Sequence, residues 1–354
     1  MRFYSQQHEF YLGIDLHARE MYLCVLDRDG EVRLHRNMPA DPEHLERAIS
    51  PFVEDIVIGV ECIFTWYWIA DYCDERRIPF VLGHALYMKA IHGGKTKNDR
   101  IDSHKIASLL RGGMFPLAYV YPKQMRSTRD LLRRREYFMH HQSELFAHIQ
   151  NTNTQYNLPS FEKRLRSAKN RIGIEDFFTD PSARASVETD LHLLDTYHRI
   201  LLDLESQIQR QAKDHDPVAF HLLRTIPGVG PILALVILYE IHDIARFPSV
   251  GNFISYARLV KCSHESAGKR MKGGHNKIGN AHLKWAFSEA AVLFLRENEP
   301  AKRMHEKMVS KYGKAKALSI IAQKLGRIAY FILKRKEPFS KKRFFGDGVS
   351  EPAA

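Results

Sequence analysis

The sequence predicts an α/β domain followed by mainly helical regions, and the change of hydrophobic periodicity along the chain is the main evidence. Up to about residue 120, short apolar runs of strand length alternate with amphipathic stretches of helix length. Beyond that point, apolar residues recur at spacings of three and four, as in paired helices. The expected boundaries are 1–122 for the α/β domain, 123–216 for a helical coiled-coil spacer, 217–345 for a mainly helical second domain and 346–354 for a disordered tail.

The order of segments in the α/β domain predicts its topology. Asp29-Gly30 is a hairpin signal, and it joins the second and third strand-like segments. The fourth and fifth are continuously apolar, as strands buried on both faces are, and a helix follows each strand from the third onward. This is the order of the ribonuclease H and RuvC-like nuclease fold. The five predicted strands are 11–17, 21–27, 31–37, 55–61 and 79–83.

Composition and charge narrow the class of protein. The chain has 354 residues, 44% of them hydrophobic, which is enough for folded cores, and its formal net charge is +12. Between Lys302 and Arg343, fourteen Lys and Arg residues stand against Glu306 and Glu337, so this segment carries the excess. Such a local surplus is typical of a segment that binds a phosphate backbone, although a solvated helix face has the same composition.

The cysteine spacing and the hydropathy of the sequence indicate the cellular compartment in which the protein works. The four cysteines show no CxxC spacing, and the first residues show no signal-peptide pattern. No apolar run approaches the length of a membrane span. We therefore expect a reduced, cytoplasmic protein with no membrane partner.

Four carboxylates stand where the predicted fold would bring them together. Asp15 lies in the first strand, Glu61 ends the fourth, and Asp99 and Asp102 open the last helix on one face. In a RuvC-like arrangement the first and fourth strands are neighbours and the last helix packs across their ends. Each residue alone also fits an ordinary role, such as a helix cap. Together they predict a site for one or two Mg²⁺ ions, or for Mn²⁺, that supports phosphoryl transfer.

The second domain contains a glycine-rich turn and a polar segment. Gly228 and Gly230 stand in a turn that resembles a helix-hairpin-helix element and would present backbone N–H groups to phosphates; a plain tight turn is the alternative. Ser266, beside Lys269 and Arg270, is placed like a nucleophile with cations nearby, although loop serines are common. The cysteine and histidines around it match no structural zinc spacing. Other candidate nucleic-acid contacts are Lys272, Lys277, Lys334, Arg335 and Lys336.

Eight segments, taken in order, resemble the insertion sequence 110 family of DEDD transposases, and they cover nearly the whole chain. The resemblance implies a RuvC-like amino-terminal domain with the metal-binding tetrad Asp15, Glu61, Asp99 and Asp102, and a helical connection to a carboxyl-terminal transposase domain. The segments are GIDLH, VIGVE, KTKNDRIDSHKIASLL, IPGVGPILAL, the RFPS stretch from Arg246, YARLV, NKIGNAHLK and KRKEPF.

The resemblance also implies a serine that attacks DNA and becomes covalently linked to it. Ser266 best fits the family's Ser-Gly context, although Ala267 follows it here and Lys261 stands where the family often has proline; Ser263 is the second choice. The implied partners are donor and target DNA, a structured guide (bridge) RNA and further copies of the chain, in homodimers or homotetramers. The implied setting is the nucleoid of a prokaryotic cell.

Two other functions share part of this pattern. A RuvC-like junction endonuclease would use metal and water, would form no covalent intermediate and would not need Ser266. A nucleic-acid-binding protein without catalysis would need none of the four carboxylates, all of which are present. We therefore predict a transposase that excises and inserts a mobile element by metal-assisted serine attack on DNA.

Overall fold

The computed structural model describes residues 2–91, 98–212, 216–260, 278–296 and 298–346, together with the backbone of 264–266 and 269–271. The chain forms two compact units, Met1–Lys123 and Gln124–Ala354. The first unit is mixed α/β and the second is mostly helical. Among the described residues, no helix combines the length and the apolar character needed to cross a membrane.

The first unit contains the three meandering strands and the alternating strands and helices that the sequence predicts. In chain order its elements are β1 (Phe3–Tyr4), β2 (Phe10–Leu16), β3 (Glu20–Asp27), β4 (Val32–Pro39), α1 (Pro42–Ile49), β5 (Ile56–Glu61), α2 (Tyr67–Arg76), β6 (Phe80–Gly83), α3 (Ala85–Ile91), α4 (Asp99–Arg111) and β7 (Phe115–Pro116). The first α-helix ends at Ile49, because Pro51 lacks the N–H that would continue the helical bonding. A 3-10 helix, Ser50–Asp55, completes that connection.

Five strands form one mixed sheet in the order β4-β3-β2-β5-β6. The pairs β2–β3 and β3–β4 are antiparallel, whereas β2–β5 and β5–β6 are parallel. The predicted first and fourth strands are therefore neighbours, with Ile14 opposite Val60. Because parallel strands end at the same edge, the carboxyl ends of β2, β5 and β6 lie side by side.

Two paired glycines let α4 lie directly on this sheet. Gly13 and Gly59 are opposite each other in the β2–β5 register. A Cβ on Gly13 would lie 2.3 Å from the carbonyl oxygen of Ser103, and one on Gly59 would lie 2.5 Å from Cδ1 of Leu110. No side chain fits in either gap, so the helix approaches the strands as closely as backbone packing allows.

The second unit consists mainly of helices. In chain order its elements are α5 (Lys123–Gln155), which begins at the boundary between the units, α6 (Pro181–Gln211), α7 (Pro217–Arg224), α8 (Pro231–Ile241), α9 (Val250–Tyr256), β8 (His264–Ser266), β9 (Lys269–Met271), α10 (Ala281–Phe294), α11 (Glu299–Tyr312), α12 (Lys314–Arg335) and α13 (Lys341–Phe345). Every residue of α8 from Leu233 to Ile241 is buried, so this helix is the centre of the unit's core.

The long helices α5 and α6 pair with each other within the chain. Arg135 forms an ion pair with Glu205 at 2.6 Å, and His148 lies against Asp190 further along α5. Residue numbers increase along α5 while those of the contacting residues on α6 decrease, so the two helices are antiparallel. Leu194, Leu201 and Ile208 of α6, which follow one another at intervals of seven residues, are buried.

We expect Gly13→Ala to destabilise the protein by about 1–3 kcal/mol, because the added methyl group meets helix backbone rather than a movable side chain. Gly251→Ala is the matched control: Gly251 lies in α9, and among the described residues a Cβ there would meet only Ser249 Oγ, at 3.5 Å. This change should be neutral or mildly stabilising, because alanine favours helix over glycine. Urea unfolding of the full chain measures both effects, and equal stability of the two variants would contradict the close-packing explanation.

Candidate active site

The spacing Gly-x-acid occurs at the same place in both central strands. Asp15 follows Gly13 by two residues in β2, and Glu61 follows Gly59 by two residues at the end of β5. Since side chains alternate between the faces of a strand, each carboxylate shares the face of its glycine, which is the face that α4 covers. The two carboxylates therefore lie on neighbouring strands, at one edge and on one face.

The first turn of α4 contributes the other two carboxylates. The Asn98 side chain caps the helix by accepting a hydrogen bond from the Arg100 N–H at 2.9 Å. On the sheet side, the His35 ring lies with Nε2 2.9 Å from the Arg100 carbonyl oxygen, which fixes this turn against β4. Asp99 and Asp102 both stand in this capped turn, where the helix dipole favours negative charge.

The structure brings Asp15, His17 and Asp99 together. His17 Nε2 lies 3.5 Å from Asp15 Oδ2 and 3.6 Å from Asp99 Oδ2. One ligand atom from each of the three lies within 4.8 Å of the others. Asp102 stands one turn along α4 and receives a hydrogen bond from Lys105 at 3.1 Å. Glu61 is placed at the same edge and face by the strand register.

The electrostatics of Asp15 show that the carboxylates act on each other. Burial raises the pKa of Asp15 above its ordinary value, and the charges of Asp99 and Asp102 raise it further, while His17 opposes the shift. The charged form of Asp15 is therefore held in an unfavourable setting. A bound divalent cation would relieve this repulsion, and carboxylate oxygens are the ligands that hard cations take. The group thus fits a metal, and its carboxylate oxygens suit magnesium or manganese.

The sequence prediction omitted His17, although it stands in the GIDLH segment used for the resemblance. A single histidine at a strand end is a weak signal. The available clue was its position two residues after Asp15, because alternation places such neighbours on one side of an extended chain. The distances to two carboxylates give His17 a place in the candidate site.

The proposed nucleophile stands at the end of a short hairpin. β8 and β9 pair antiparallel, with Ser266 opposite Lys269 and Glu265 opposite Arg270. Only the backbone is described for these residues, so the side chains of Ser266, Lys269 and Arg270 lie outside the described part of the chain. Lys272, Lys277 and the second-choice Ser263 lie outside it entirely.

The two ends of the segment that contains this hairpin are held together. The Asn280 N–H donates to the Tyr256 carbonyl oxygen at 2.6 Å, and Arg258 Nε donates to the Ile278 carbonyl oxygen at 3.2 Å. Gly279 adopts φ +101°, and a Cβ there would lie 2.6 Å from the Tyr256 carbonyl oxygen. The described flanks of 261–277 therefore meet at a defined point in the helical unit.

A buried carboxylate anchors this point. Glu240 is 2% exposed and accepts hydrogen bonds from Arg129, from Arg133 at 2.7 Å and from the Asn280 amide at 2.7 Å. Burial alone would raise the pKa of Glu240, but these hydrogen bonds and the two guanidinium charges lower it to about 2. Glu240 thereby joins α5, α8 and the start of α10 in one charged cluster.

The predicted phosphate-binding glycines differ in their surroundings. Gly228 has φ +83°, and a Cβ there would lie 2.5 Å from the Phe294 nitrogen, so close packing on α10 already requires glycine. Gly230, the N-cap of α8, is exposed, and a Cβ there would meet none of the described residues within 4 Å. Lys334, Arg335 and Lys336 are exposed at the end of α12, where the helix dipole favours cations.

Comparison with known proteins gives two family matches. Residues 12–157 match a transposase family of the DEDD, IS110 type. Residues 220–306 match the transposase IS116/IS110/IS902 family. The first match includes all four predicted carboxylates, and the second includes the glycine-rich turn and Ser266.

The individual relatives have low sequence identity to this chain, and one of them aligns with nearly its whole length. The chain is 23% identical over 345 residues to the transposase for insertion sequence element IS1111A of Coxiella burnetii, across 93% of this chain and 90% of that protein. It is 32% identical over 126 residues to the pilin gene-inverting protein of Moraxella bovis, across 34% of this chain and 38% of that protein. It is 26% identical over 155 residues to the transposase for IS1328 of Yersinia enterocolitica, across 42% of this chain and 46% of that protein.

We expect Glu240→Gln to destabilise the protein by about 3–5 kcal/mol at neutral pH, because two guanidinium groups lose their buried counter-charge. Since the folded-state pKa of Glu240 lies below its ordinary value of 4.5, its stabilising effect is present above pH 4.5 and is lost as pH falls toward about 2. The difference between wild type and variant should be constant from about pH 7 to about pH 5 and narrower below.

Urea unfolding at several pH values, down to the lowest at which the wild type stays folded, measures this difference. Glu289→Gln, at an exposed position of α10, is the control and should cost little at any pH. A difference that widens on acidification would contradict the assignment of Glu240 as a charged anchor.

Proposed function

Because the chain belongs to the IS110 family of transposases, which act on DNA, we propose that it excises and inserts a mobile element by cutting and rejoining DNA at the Asp15 edge. The convergence of Asp15, His17 and Asp99 within 4.8 Å is the observation that carries this proposal. In the proposed site, Glu61 and Asp102 complete the tetrad from β5 and α4.

The tetrad would hold one or two Mg²⁺ ions, with Mn²⁺ as an alternative. A divalent cation at such a site supplies charge stabilisation at the phosphate oxygens and activates the attacking group. The protein's part is to hold its oxygens in place through the Asn98 cap, the His35 contact and the strand register. His17 provides a nitrogen ligand or a proton acceptor beside Asp15.

We assign the nucleophile to Ser266, with Ser263 as second choice. In the proposed step the Ser266 hydroxyl oxygen forms a bond to phosphorus while one P–O bond of the phosphodiester breaks. The serine proton passes to a base, and the released sugar oxygen takes up a proton. A DNA hydroxyl then attacks the phosphoserine and restores the free serine, so no bond energy is lost between cutting and joining.

The cations would hold the nucleic-acid backbones. Lys269 and Arg270 lie across the hairpin from the serine strand. Lys334, Arg335 and Lys336 form an exposed basic end on α12, and Gly230 leaves open space at the start of α8. We include a structured guide RNA beside donor and target DNA, and assembly as dimers or tetramers, in the proposal. Selection of DNA by pairing with RNA would suit a protein that grips backbones.

A metal-dependent junction endonuclease is the second candidate. The acidic cluster lies within the first unit and its geometry does not depend on Ser266. Such an enzyme would use water in place of serine and leave no protein on the DNA. The fate of the protein–DNA bond therefore separates the two functions.

We expect purified protein, given Mg²⁺, flanking-derived RNA, and donor and target DNA, to form recombinant product through a covalent protein–DNA adduct. Ser266→Ala and Asp102→Ala should each abolish both adduct and product. Ser310→Ala, at an exposed serine of α11, is the control and should leave both intact. Denaturing gels that separate adduct, product and substrate provide the measurement. Cleavage without an adduct that survives Ser266→Ala would support the endonuclease instead.

We expect Asp15→Asn to abolish DNA cutting and yet to stabilise the metal-free fold at pH 7. The folded-state pKa of Asp15 is raised, so its stabilising effect is present below its ordinary value of 3.8 and is lost as pH rises through the raised value. At neutral pH the charged form of Asp15 therefore lowers the free energy of unfolding, and Asn removes this effect. With saturating Mg²⁺ the order should reverse, because metal binding stabilises only the wild type.

Thermal unfolding with EDTA and with Mg²⁺ measures these two effects. Asp203→Asn, at an exposed position of α6, is the control and should change neither melting temperature. If Asp15→Asn melts below wild type in EDTA, the repulsion argument is wrong.

A further inference from the structure

Phe64 is exposed in a part of the chain where its aromatic neighbours are not. Its side chain is 83% exposed, whereas Trp66 is 5% exposed and Tyr67 and Trp68 pack against the core. Burying a phenylalanine ring contributes about 1.5–3 kcal/mol. This contribution to stability is absent at Phe64, although the aromatic residues that follow it are packed against the core.

Residues on both sides of Phe64 donate hydrogen bonds to the edge of the sheet that bears the carboxylates. The Cys62 N–H donates to the Gly83 carbonyl oxygen at 2.8 Å, at the end of β6. Thr65 Oγ1 donates to the Leu16 carbonyl oxygen at 3.3 Å, and Leu16 lies between Asp15 and His17. Phe64 therefore stands in the short connection from β5 to α2, which these two hydrogen bonds attach to the ends of β6 and β2 at the acidic edge.

Two other exposed apolar side chains belong to the same edge. Leu86 stands in the first turn of α3, three residues after β6 ends, and is 42% exposed. Ile101 stands between Asp99 and Asp102 and is 39% exposed. A single exposed apolar residue is ordinary on a protein surface. Here three of them accompany the acidic group, so the edge pairs an apolar rim with the carboxylates.

Exposed apolar side chains beside carboxylates favour an uncharged, aromatic ligand. An acidic edge repels phosphates that no cation screens, so the apolar rim is unsuited to a sugar–phosphate backbone. A nucleobase is uncharged and presents an aromatic face, and stacking of a base on an aromatic side chain contributes about 1–3 kcal/mol whatever the base. In a duplex the base faces are already covered, so the base must be unpaired and unstacked.

We propose that Phe64 stacks on an unpaired nucleobase of the DNA strand, next to the phosphodiester bond that the site cuts. The inference rests on the proposed function. Phe64 would compensate part of the cost of unstacking that base and would hold the adjoining phosphate at the tetrad. It is a substrate-positioning residue, and its effect falls on binding of unpaired DNA.

The test uses the full chain and a DNA single strand that contains one 2-aminopurine, with the matching duplex for comparison, in Ca²⁺ to support binding. We expect wild type to quench the probe in the single strand by stacking. Phe64→Ala should weaken binding of the single strand by about 5- to 150-fold, the range that corresponds to loss of one stacked base. Phe64→Trp should retain quenching and affinity, whereas Phe64→Leu should lose both.

Ile172→Ala is the matched control, because Ile172 is 84% exposed and lies in the second unit. It should leave binding unchanged. Equal affinity of wild type and Phe64→Ala overturns the proposal, and so does full retention in Phe64→Leu, which would show apolar contact without stacking. A Phe64 effect seen with an RNA strand and not with the DNA strand also overturns it.

The readout separates this proposal from the proposed function. If wild type forms no recombinant product in any DNA assay but quenches the probe through Phe64, the proposed function fails and the stacking site stands. If wild type recombines DNA and Phe64→Ala does so with unchanged affinity for the single strand, the stacking site fails alone.

Discussion

The approach of α4 to the sheet over Gly13 and Gly59 is the contact on which the candidate site depends. Without a side chain at either position, helix backbone packs on Gly13 and the Leu110 side chain packs on Gly59, and the first turn of α4 reaches the edge where β2 and β5 end. The carboxylates two residues beyond each glycine then face that turn. Fold and site are thus set by the same two residues, because one spacing determines both the packing and the direction of the acids.

In the helical unit, a buried cluster of charged side chains holds the ends of the candidate nucleophile segment in place. Glu240 brings Arg129, Arg133 and Asn280 to one place in the core, and the flanks of the Ser266 segment meet beside it. A buried carboxylate is tolerated only with such partners. The arrangement gives the ends of a polar, glycine-rich segment a fixed base. The two units therefore anchor their candidate catalytic groups by close backbone packing in one case and by a buried ion cluster in the other.

Much of this could be predicted from the sequence where the pattern is local. The alternating apolar runs and Asp29-Gly30 predicted the order of the strands along the chain. The four acids lie in the strands and the helix to which the sequence assigned them. The short strands β1 and β7 escaped prediction, because two-residue strands exist only through pairing with each other. His17 escaped prediction because its contact with Asp99 joins residues distant in sequence, and Phe64 because the exposure of one aromatic among buried ones is a property of the folded chain. Phosphate binding at Gly228 stays a prediction; the close packing of Gly228 on α10, which also requires glycine, could not be predicted because it involves residues distant in sequence.

The Gly-x-acid spacing also limits how this gene can change in length. Because strand residues alternate in direction, deleting or inserting one residue between Gly13 and Asp15 would turn the carboxylate to the opposite face of the sheet, away from α4. Substitution at Ile14 keeps that parity, while a change of length destroys it. A turn between strands is not subject to this alternation, so a change of length there leaves the direction of both acids unchanged. Relatives of this chain should therefore vary in length at their turns and keep the two glycine-to-acid stretches at three residues each.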